Sequence, residues 1–381
     1  MDIKINELDI FPVASKMLHD TMCKCGLVEK RVDDPVPFEQ NIVKPLVRAF
    51  SARVGTNLGP AIEKLVDKGV DLTSSGPRFN REAIRVFHNT LRRILGTELA
   101  VEVQDDVLDA ISNMYTVAEQ LTSRQVGRIS SLTAVDQELI TALNNTTHSY
   151  LDSSYSRIWE PELDYIMNET LEEGFGAVDL SDRLEERMSA RLLNRSPAYW
   201  DVVANQSVNS SRSMAQLNTY RKAEVTRYEI VAVMDGVTTP ICQYLDGQVF
   251  RTEPAFKHME NLVGMGKPTT DDEYEEQQDM RPWVGIDTGR ALRGLSALFT
   301  SKGGERSFLP HSTLTRRGSG RFSPNDRPRV PDRVKLERLD LWLPPYHANC
   351  RTTTVATKES VKLERAYELD VEKEMLAEVM K

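Results

Sequence analysis

The sequence predicts an α+β protein, with a helical N-terminal half and a small C-terminal domain that contains β-strands. Between about residues 38 and 195, apolar side chains return every three or four positions, which is typical of amphipathic helices. After Tyr228 the pattern changes to short alternating or β-branched runs, which favour strands. Glycines, prolines and charged residues are frequent in residues 251–340, so this stretch is predicted to be a long irregular charged insertion.

Length and charge set limits on the organisation of the chain. At 381 residues it is long enough for two domains. We predict a helical N-terminal domain over residues 1–150, a second domain over 151–357 that includes the insertion 251–340, and a C-terminal helix over 358–381. The net charge of −9 argues against nucleic acid wrapping the whole surface, but it is compatible with a local basic patch.

The chain carries no pattern of a secreted or membrane protein. Its start lacks a basic segment followed by a long apolar run, and no stretch approaches the roughly 18 apolar residues of a membrane helix. We therefore expect a soluble protein that is made in a cytoplasm and has no membrane partner. Four cysteines are too few for a disulfide framework, and Cys23-Lys-Cys25 lacks the nearby second pair that a metal site needs.

Apolar stripes justify the helices of the N-terminal half. One stripe lies within residues 83–95 and another within 107–121, and both are predicted to form core. Breaks between helices are expected at Gly55, at Gly59-Pro60 and at residues 74–77. The histidines of this half have polar neighbours in sequence and are predicted to be solvated; they are His88 and His148.

Two glycines further along, Gly174 and Gly176, do not predict a nucleotide site. A phosphate loop needs a strand before its glycines and a helix after them, and no strand pattern precedes this pair. We expect one helix to end there and a new one to begin, with Asp179 or Ser181 as its cap.

The C-terminal domain opens with a short strand pattern. Ile230, Ala232 and Met234 alternate with valines in an apolar run that stops at a turn, Asp235-Gly236. A hairpin corner is predicted within residues 245–250, because Asp-Gly supplies positive-φ geometry between apolar flanks. The first part of the domain is therefore predicted to be β, and the β-branched run at residues 352–357 is predicted to be its closing strand.

Two widely separated segments of this domain carry an unusual order of residues, with Asp235, Thr239 and Cys242 in the first and His347, Cys350 and Arg351 in the second. This order resembles the Mu F-like minor head proteins of tailed phages, also called head morphogenesis proteins. The family pattern is a strand ending in Asp, Thr or Cys-x-x-Cys, Leu-x-Gly, a variable insertion, and Pro-x-His-x-x-Cys-Arg-Cys. The matching residues here are Asp235, Thr239, Cys242, Leu245, Gly247, Pro344 or Pro345, His347, Cys350 and Arg351. The likeness covers about residues 160–355 and includes the polar helix predicted at 198–220.

This chain departs from the family pattern at two positions. Thr239 and Thr352 stand where many members carry cysteine, so a four-cysteine metal site is not available. The resemblance nevertheless implies a minor head component of the virion, made in the host bacterial cytoplasm and assembled near the portal. Its implied partners are the portal protein, major capsid or scaffold proteins, and packaged double-stranded DNA.

Three kinds of chemistry compete for Cys242, His347 and Cys350. In the structural interpretation, which we prefer, the thiols pack together or form a disulfide outside the cell, while His347 and Arg351 hydrogen-bond the strand end. In the second, the three residues bind zinc, with a fourth ligand from one of three side chains: Asp235, Asp246 or His258. In the third, Cys242 and His347 form a catalytic pair oriented by an aspartate, which gives the alternative function, a Cys/His-dependent hydrolase or processing enzyme.

The insertion divides into an acidic part and a basic part. Residues 271–279 are rich in Asp and Glu, whereas residues 290–338 hold twelve Lys or Arg against four acidic residues. The basic part offers candidate contacts to DNA or to the portal, which are Arg316, Arg317, Arg321, Arg327 and Arg329. The alternative is a solvated loop whose charges pair with the acidic part.

Overall fold

The structure is a computed structural model, and it describes residues 37–73, 76–129, 131–173, 177–234, 238–268, 270–287, 297–303, 305–310, 312, 333–347 and 350–357. Several predictions lie outside these residues. They concern Cys23 and Cys25, the pair Gly174 and Gly176, Asp235, the five arginines Arg316, Arg317, Arg321, Arg327 and Arg329, and the C-terminal helix 358–381.

The described chain is mostly helical, with small antiparallel sheets. In order, its helices are α1 Pro37–Gly69, α2 Arg81–Arg92, α3 Glu98–Glu102, α4 Gln104–Val126, α5 Ala134–Ser154, α6 Glu160–Glu172, α7 Ala177–Lys222, α8 Pro240–Leu245, α9 Thr252–Gly264, α10 Asp271–Asp279 and α11 Arg333–Arg338. Two π-helices, Arg93–Thr97 and Tyr155–Trp159, join α2 to α3 and α5 to α6. The strands are β1 Val70–Thr73, β2 Gly76–Phe79, β3 Arg227–Val231, β4 Val249–Arg251, β5 Val284–Asp287, β6 Ala297–Lys302, β7 Glu305–Phe308 and β8 Thr353–Ala356. The α+β class predicted from the sequence is confirmed.

Helix α7 is the central element, because most of the other helices pack on it. It contacts α1, α4, α5, α6 and α9, and it also reaches β8. Its 46 residues make it about 69 Å long at 1.5 Å per residue. Aromatic side chains fill the core beside it: the ring of Phe50 lies 5.4 Å from Trp159 and 5.5 Å from Trp200, and all three are buried.

The predicted breaks at Gly55 and Gly59-Pro60 are wrong, since α1 continues through them. Proline within a helix removes one backbone hydrogen bond. However, α1 buries a long apolar stripe, Ile42, Leu46, Phe50, Val54, Leu58, Ile62 and Leu65, and that burial outweighs the local loss. The predicted break at residues 74–77 falls in the hairpin of β1 and β2, which the sequence pattern did not predict.

Two further predictions in the helical part are corrected. His88 is buried rather than solvated, with Nδ1 2.9 Å from the Tyr155 hydroxyl and Nε2 2.9 Å from Asp164 Oδ1. His148 is half-buried. Asp179 and Ser181 do not cap α7, because this helix already begins at Ala177.

The first sheet of the C-terminal domain has the order β4-β3-β8, and all its pairs are antiparallel. Tyr228 of β3 pairs with Phe250 on one side and Ala356 on the other, so the predicted closing strand is confirmed. Gly247 has φ +80°, which confirms the predicted turn. The segment just before this turn is helical rather than β, because Thr239 caps α8 and Pro240 fits its first turn.

The insertion is more regular than predicted. It contains α9 and α10, followed by a second antiparallel sheet with the order β5-β6-β7. The Val284 amide donates to the Tyr346 carbonyl at 2.8 Å, which ties this sheet to the chain that returns to the first one. In the part of the chain that the structure describes, no helix has the length and apolar character needed to cross a membrane.

Candidate metal centre

The first half of the centre lies on α8. Thr239 is the N-cap of this short helix, and its hydroxyl oxygen accepts a hydrogen bond from the Cys242 amide at 3.3 Å. Cys242 follows in the first turn and is only 5% exposed. The cap therefore fixes both side chains on the same end of the helix.

The second half lies on the segment between α11 and β8. The Tyr228 hydroxyl donates to the Trp342 carbonyl at 2.8 Å. In the same segment, the Tyr346 carbonyl accepts a hydrogen bond from the Val284 amide. After Cys350 the chain enters β8, which pairs with β3. The His347–Cys350 segment is thus held at both ends by sheet contacts.

These two halves meet although 105 positions separate Cys242 from His347 in sequence. Sγ of Cys242 lies 2.9 Å from Nε2 of His347 and 3.8 Å from Sγ of Cys350. The three candidate ligand atoms are within 4.8 Å of one another, and both thiols are free. The structure therefore brings together the three residues for which the sequence left three kinds of chemistry open.

Two threonines complete the cluster. Oγ1 of Thr239 lies 2.9 Å from Nε2 of His347, and the Thr352 hydroxyl donates to Sγ of Cys242 at 3.0 Å. From the sequence, Thr239 is part of the family pattern and both threonines are departures from its cysteines, and neither was predicted to have a role in the site. Their positions in that pattern were the signal that they would line the same site.

The two thiols have different protonation preferences. A hydrogen bond to Cys350, together with burial, raises the pKa of Cys242 above its usual range. Burial also opposes ionisation of Cys350, but hydrogen bonds from Cys242 and His347 outweigh it and hold the pKa of Cys350 well below its usual range. Ionisation of one thiol therefore opposes ionisation of the other.

The other predicted site residues have supporting places in the fold. Leu245 is buried in the core, Gly247 makes the turn into β4, and Arg351 is half-buried at the entry to β8. The proposed fourth ligands Asp246 and His258 are corrected, because neither belongs to the group of ligand atoms among the described residues. Asp246 Oδ1 accepts the Ala232 amide at 2.9 Å, and His258 Nε2 contacts the Met280 carbonyl at 2.7 Å.

The donor set fits zinc, and so does the distance between its two sulfurs. Two thiolates bound to one tetrahedral zinc at about 2.3 Å lie about 3.8 Å apart, which equals the observed separation of the two sulfurs. Thiolate and imidazole are also the donors that zinc prefers. Cys242 Sγ and His347 Nε2 lie 2.9 Å apart, closer than the roughly 3.5 Å between a sulfur and a nitrogen ligand of one tetrahedral zinc. The three residues are therefore able to hold a zinc ion once the His347 ring moves back from the sulfur.

Side chains of helix α7 hold the chain at residues 352–354, next to the centre, and these contacts were not predicted from the sequence. Arg212 donates to the Thr352 carbonyl at 2.7 Å, and Gln216 donates to the Thr354 carbonyl at 3.1 Å. Oε1 of Gln216 also accepts from the hydroxyls of Thr353 and Thr354, at 3.1 Å each. The signal in the sequence was the unusual run of small and polar residues in this helix, many of which are buried.

Comparisons with protein-family models, with curated proteins and with solved structures each give no match. We therefore infer function from the sequence pattern and from the geometry of this centre.

Proposed function

We propose that this protein is a minor head protein of a tailed phage, of the Mu F-like head morphogenesis family, incorporated into the virion head near the portal. The observation that carries the proposal is the convergence of both halves of the motif around one point. Thr239 and Cys242 from the first half meet His347, Cys350 and Thr352 from the second. Residues that share a site in this way explain why the pattern spans two distant segments.

The position of the insertion supports the same proposal. The insertion leaves the first sheet after β4, and the chain returns next to the same sheet at residues 341–346 before it forms β8. Both ends of the insertion therefore lie near the first sheet, so residues can be added between those ends. A family pattern with a variable insertion between fixed motifs needs such an arrangement.

The proposed partners are the portal protein, major capsid or scaffold proteins, and packaged double-stranded DNA. The basic part of the insertion is the proposed contact, through Arg316, Arg317, Arg321, Arg327 and Arg329. Arginines bind phosphate oxygens or acidic side chains through the same charged hydrogen bonds. Such contacts suit a protein that lies where DNA enters the head.

We propose a structural role for the centre, with zinc as its ion. A metal ion or a packed Cys-His-Cys cluster joins α8 to the entry of β8 and so fixes the first sheet. Structural zinc sites contribute directly to folding free energy. The centre would therefore act on assembly through the stability of the domain.

One contact favours the second candidate, a Cys/His-dependent hydrolase. The 2.9 Å distance from Cys242 Sγ to His347 Nε2 is short enough for proton transfer from a nucleophile to a base. However, the pKa of Cys242 is raised by its hydrogen bond to Cys350 and by burial, which opposes thiolate formation at that sulfur. The structural role is therefore the better supported proposal.

Particle composition tests the proposal. Heads purified from the source phage should contain this chain in few copies, and chemical cross-linking in procapsids should join it to the portal. We expect Cys242→Ala and His347→Ala to lower both its melting temperature and its occupancy in heads. Absence of the wild-type chain from purified heads would refute the head role, whereas variants that assemble normally but lose a measurable turnover would favour the hydrolase.

A further inference from the structure

The centre offers three conventional zinc ligands and two hydroxyls. The ligand atoms of Cys242, His347 and Cys350 form the compact group, and the hydroxyls of Thr239 and Thr352 contact it at 2.9 and 3.0 Å. Zinc takes thiolate, imidazole or carboxylate ligands, and a neutral hydroxyl is not among its usual ones. The described side chains therefore fill three of the four positions of a tetrahedral ion.

Access to the cluster is uneven. Cys242 is 5% exposed and Cys350 is 1% exposed, so the sulfurs face the interior. Thr239 and His347 are half-buried, and they mark the side that solvent reaches. A ligand from outside the protein would approach the ion from this side, next to the Thr239 hydroxyl.

Neither Asp246 nor His258, the described residues considered above as a fourth ligand, reaches the fourth position of the ion. Asp246 is bonded to the Ala232 amide, and His258 lies against the Met280 carbonyl. The remaining candidate from the sequence is Asp235, which lies outside the described residues. No other described residue joins the group, so the fourth ligand is either a residue outside the described ranges, with Asp235 as the candidate from the sequence, or a molecule that is not part of the chain.

We propose that the zinc site is open: three protein ligands hold the ion, and an exchangeable water takes the fourth position with the Thr239 hydroxyl as its hydrogen-bond partner. The inference rests on the zinc ion proposed above. A zinc ion with three protein ligands and one water is open to an outside ligand, unlike a closed site with four protein ligands. Its three protein ligands would still join α8 to the entry of β8, so the proposed structural role is kept. A small thiolate should displace the water, because zinc accepts soft sulfur ligands readily.

Cobalt substitution tests the open position directly, since Co²⁺ in a tetrahedral thiolate site absorbs visible light. The full chain is loaded with Co²⁺ and titrated with 2-mercaptoethanol. We expect the absorption of the bound cobalt to shift and saturate, and the sulfur-to-cobalt band to grow by about half as two thiolates become three. A wild-type spectrum that does not respond to thiol would overturn the inference.

Thr239→Cys should close the site from within. We expect this variant to show the three-thiolate spectrum without added thiol, to lose the response to 2-mercaptoethanol, and to bind zinc at least about tenfold more tightly in competition with a chelator. Thr238→Cys is the matched control, because the neighbouring Thr238 hydroxyl donates to the Val233 carbonyl at 2.5 Å. This control should keep the wild-type response.

Two further outcomes separate this inference from the proposals on which it rests. If Asp235→Ala changes the cobalt spectrum and creates the thiol response, Asp235 is the fourth ligand, and the open site is overturned while the zinc proposal stands. If the wild-type chain takes up no cobalt or zinc, both metal proposals fail. The role in the head is then still decided by particle composition.

Discussion

Asp136 is a fully buried carboxylate that joins three helices. Its Oδ1 accepts hydrogen bonds from the Tyr115 hydroxyl of α4 at 2.8 Å and from the Asn218 amide of α7 at 2.6 Å. Its Oδ2 lies 2.7 Å from the Lys222 ammonium and accepts from the Thr133 amide at the start of α5. Burial of a charge is costly, and here each oxygen has several donors that offset this cost.

Asp136→Asn is predicted to destabilise the protein by about 3 kcal/mol, because it leaves Lys222 without its main partner and turns one acceptor into a donor. Burial raises the pKa of Asp136, but bonds from Lys222, Thr133 and Tyr115 outweigh it, so this pKa lies below its usual value. A carboxylate with a lowered pKa stabilises the fold above the unfolded pKa of about 3.9 and loses that effect as the pH falls through the folded value.

The measurement is denaturant unfolding of both proteins across pH. The difference in free energy of unfolding between the wild type and Asp136→Asn should be constant above about pH 5 and should shrink below about pH 4. Glu138→Gln is the matched control, because Glu138 is exposed on the same helix. A difference that grows toward acid would contradict the prediction.

At the scale of elements, the two π-helices lie at a close contact between helices. Gly96, in the first π-helix, is buried, and a Cβ atom placed on it would lie 2.5 Å from the Asp152 carbonyl oxygen of α5. Backbone atoms of α5 cannot move away as a flexible side chain can. The contact therefore requires glycine at this position.

Gly96→Ala should cost about 2 kcal/mol, because the added methyl group overlaps with backbone. The same substitution at Gly55 in α1 meets nothing within 4 Å and should stabilise the protein by about 0.5 kcal/mol. Thermal and urea unfolding should show a lower stability for Gly96→Ala and a higher stability for Gly55→Ala, each relative to the wild type. A neutral Gly96→Ala variant would show that the helices can separate at this contact.

Some of these elements could be predicted from the sequence, and others could not. The helices and strand β3 follow from local periodicity, whereas strand β8 follows from its β-branched residues. Strands β5 to β7 were missed, since glycines and charges beside them hide a short pattern. The helical α8 was missed because six residues are too few for periodicity to reveal a helix.

The residues of the site could not be brought together from local periodicity. Periodicity does not bring Cys242 to His347, because no local signal specifies which distant segments meet. The resemblance to a family pattern supplied that pairing, and the structure places the two residues 2.9 Å apart. The buried His88 was misjudged because its partners, Tyr155 and Asp164, are 67 and 76 positions away.

At the scale of the whole molecule, an acidic protein carries one basic segment. The chain has a net charge of −9, whereas the segment 313–332 contains Arg316, Arg317, Arg321, Arg327 and Arg329 against two acidic residues, Asp326 and Asp332. The segment follows β7 and precedes α11 in the chain. Deleting residues 300–333 would remove β7 and part of β6, so substitution is the cleaner way to test its charges.

Replacing these five arginines with glutamine is predicted to weaken binding to double-stranded DNA and to reduce its salt dependence. Each phosphate contact adds about 0.9 to the slope of log affinity against log salt, so five contacts account for at most about 4 to 5. The matched control replaces the same residues with lysine, which keeps the charge and should keep most of the slope. Fluorescence anisotropy with one duplex at several salt concentrations measures both quantities. If the arginines instead pair with the acidic helix α10, the glutamine variant will bind DNA as the wild type does and will melt at a lower temperature.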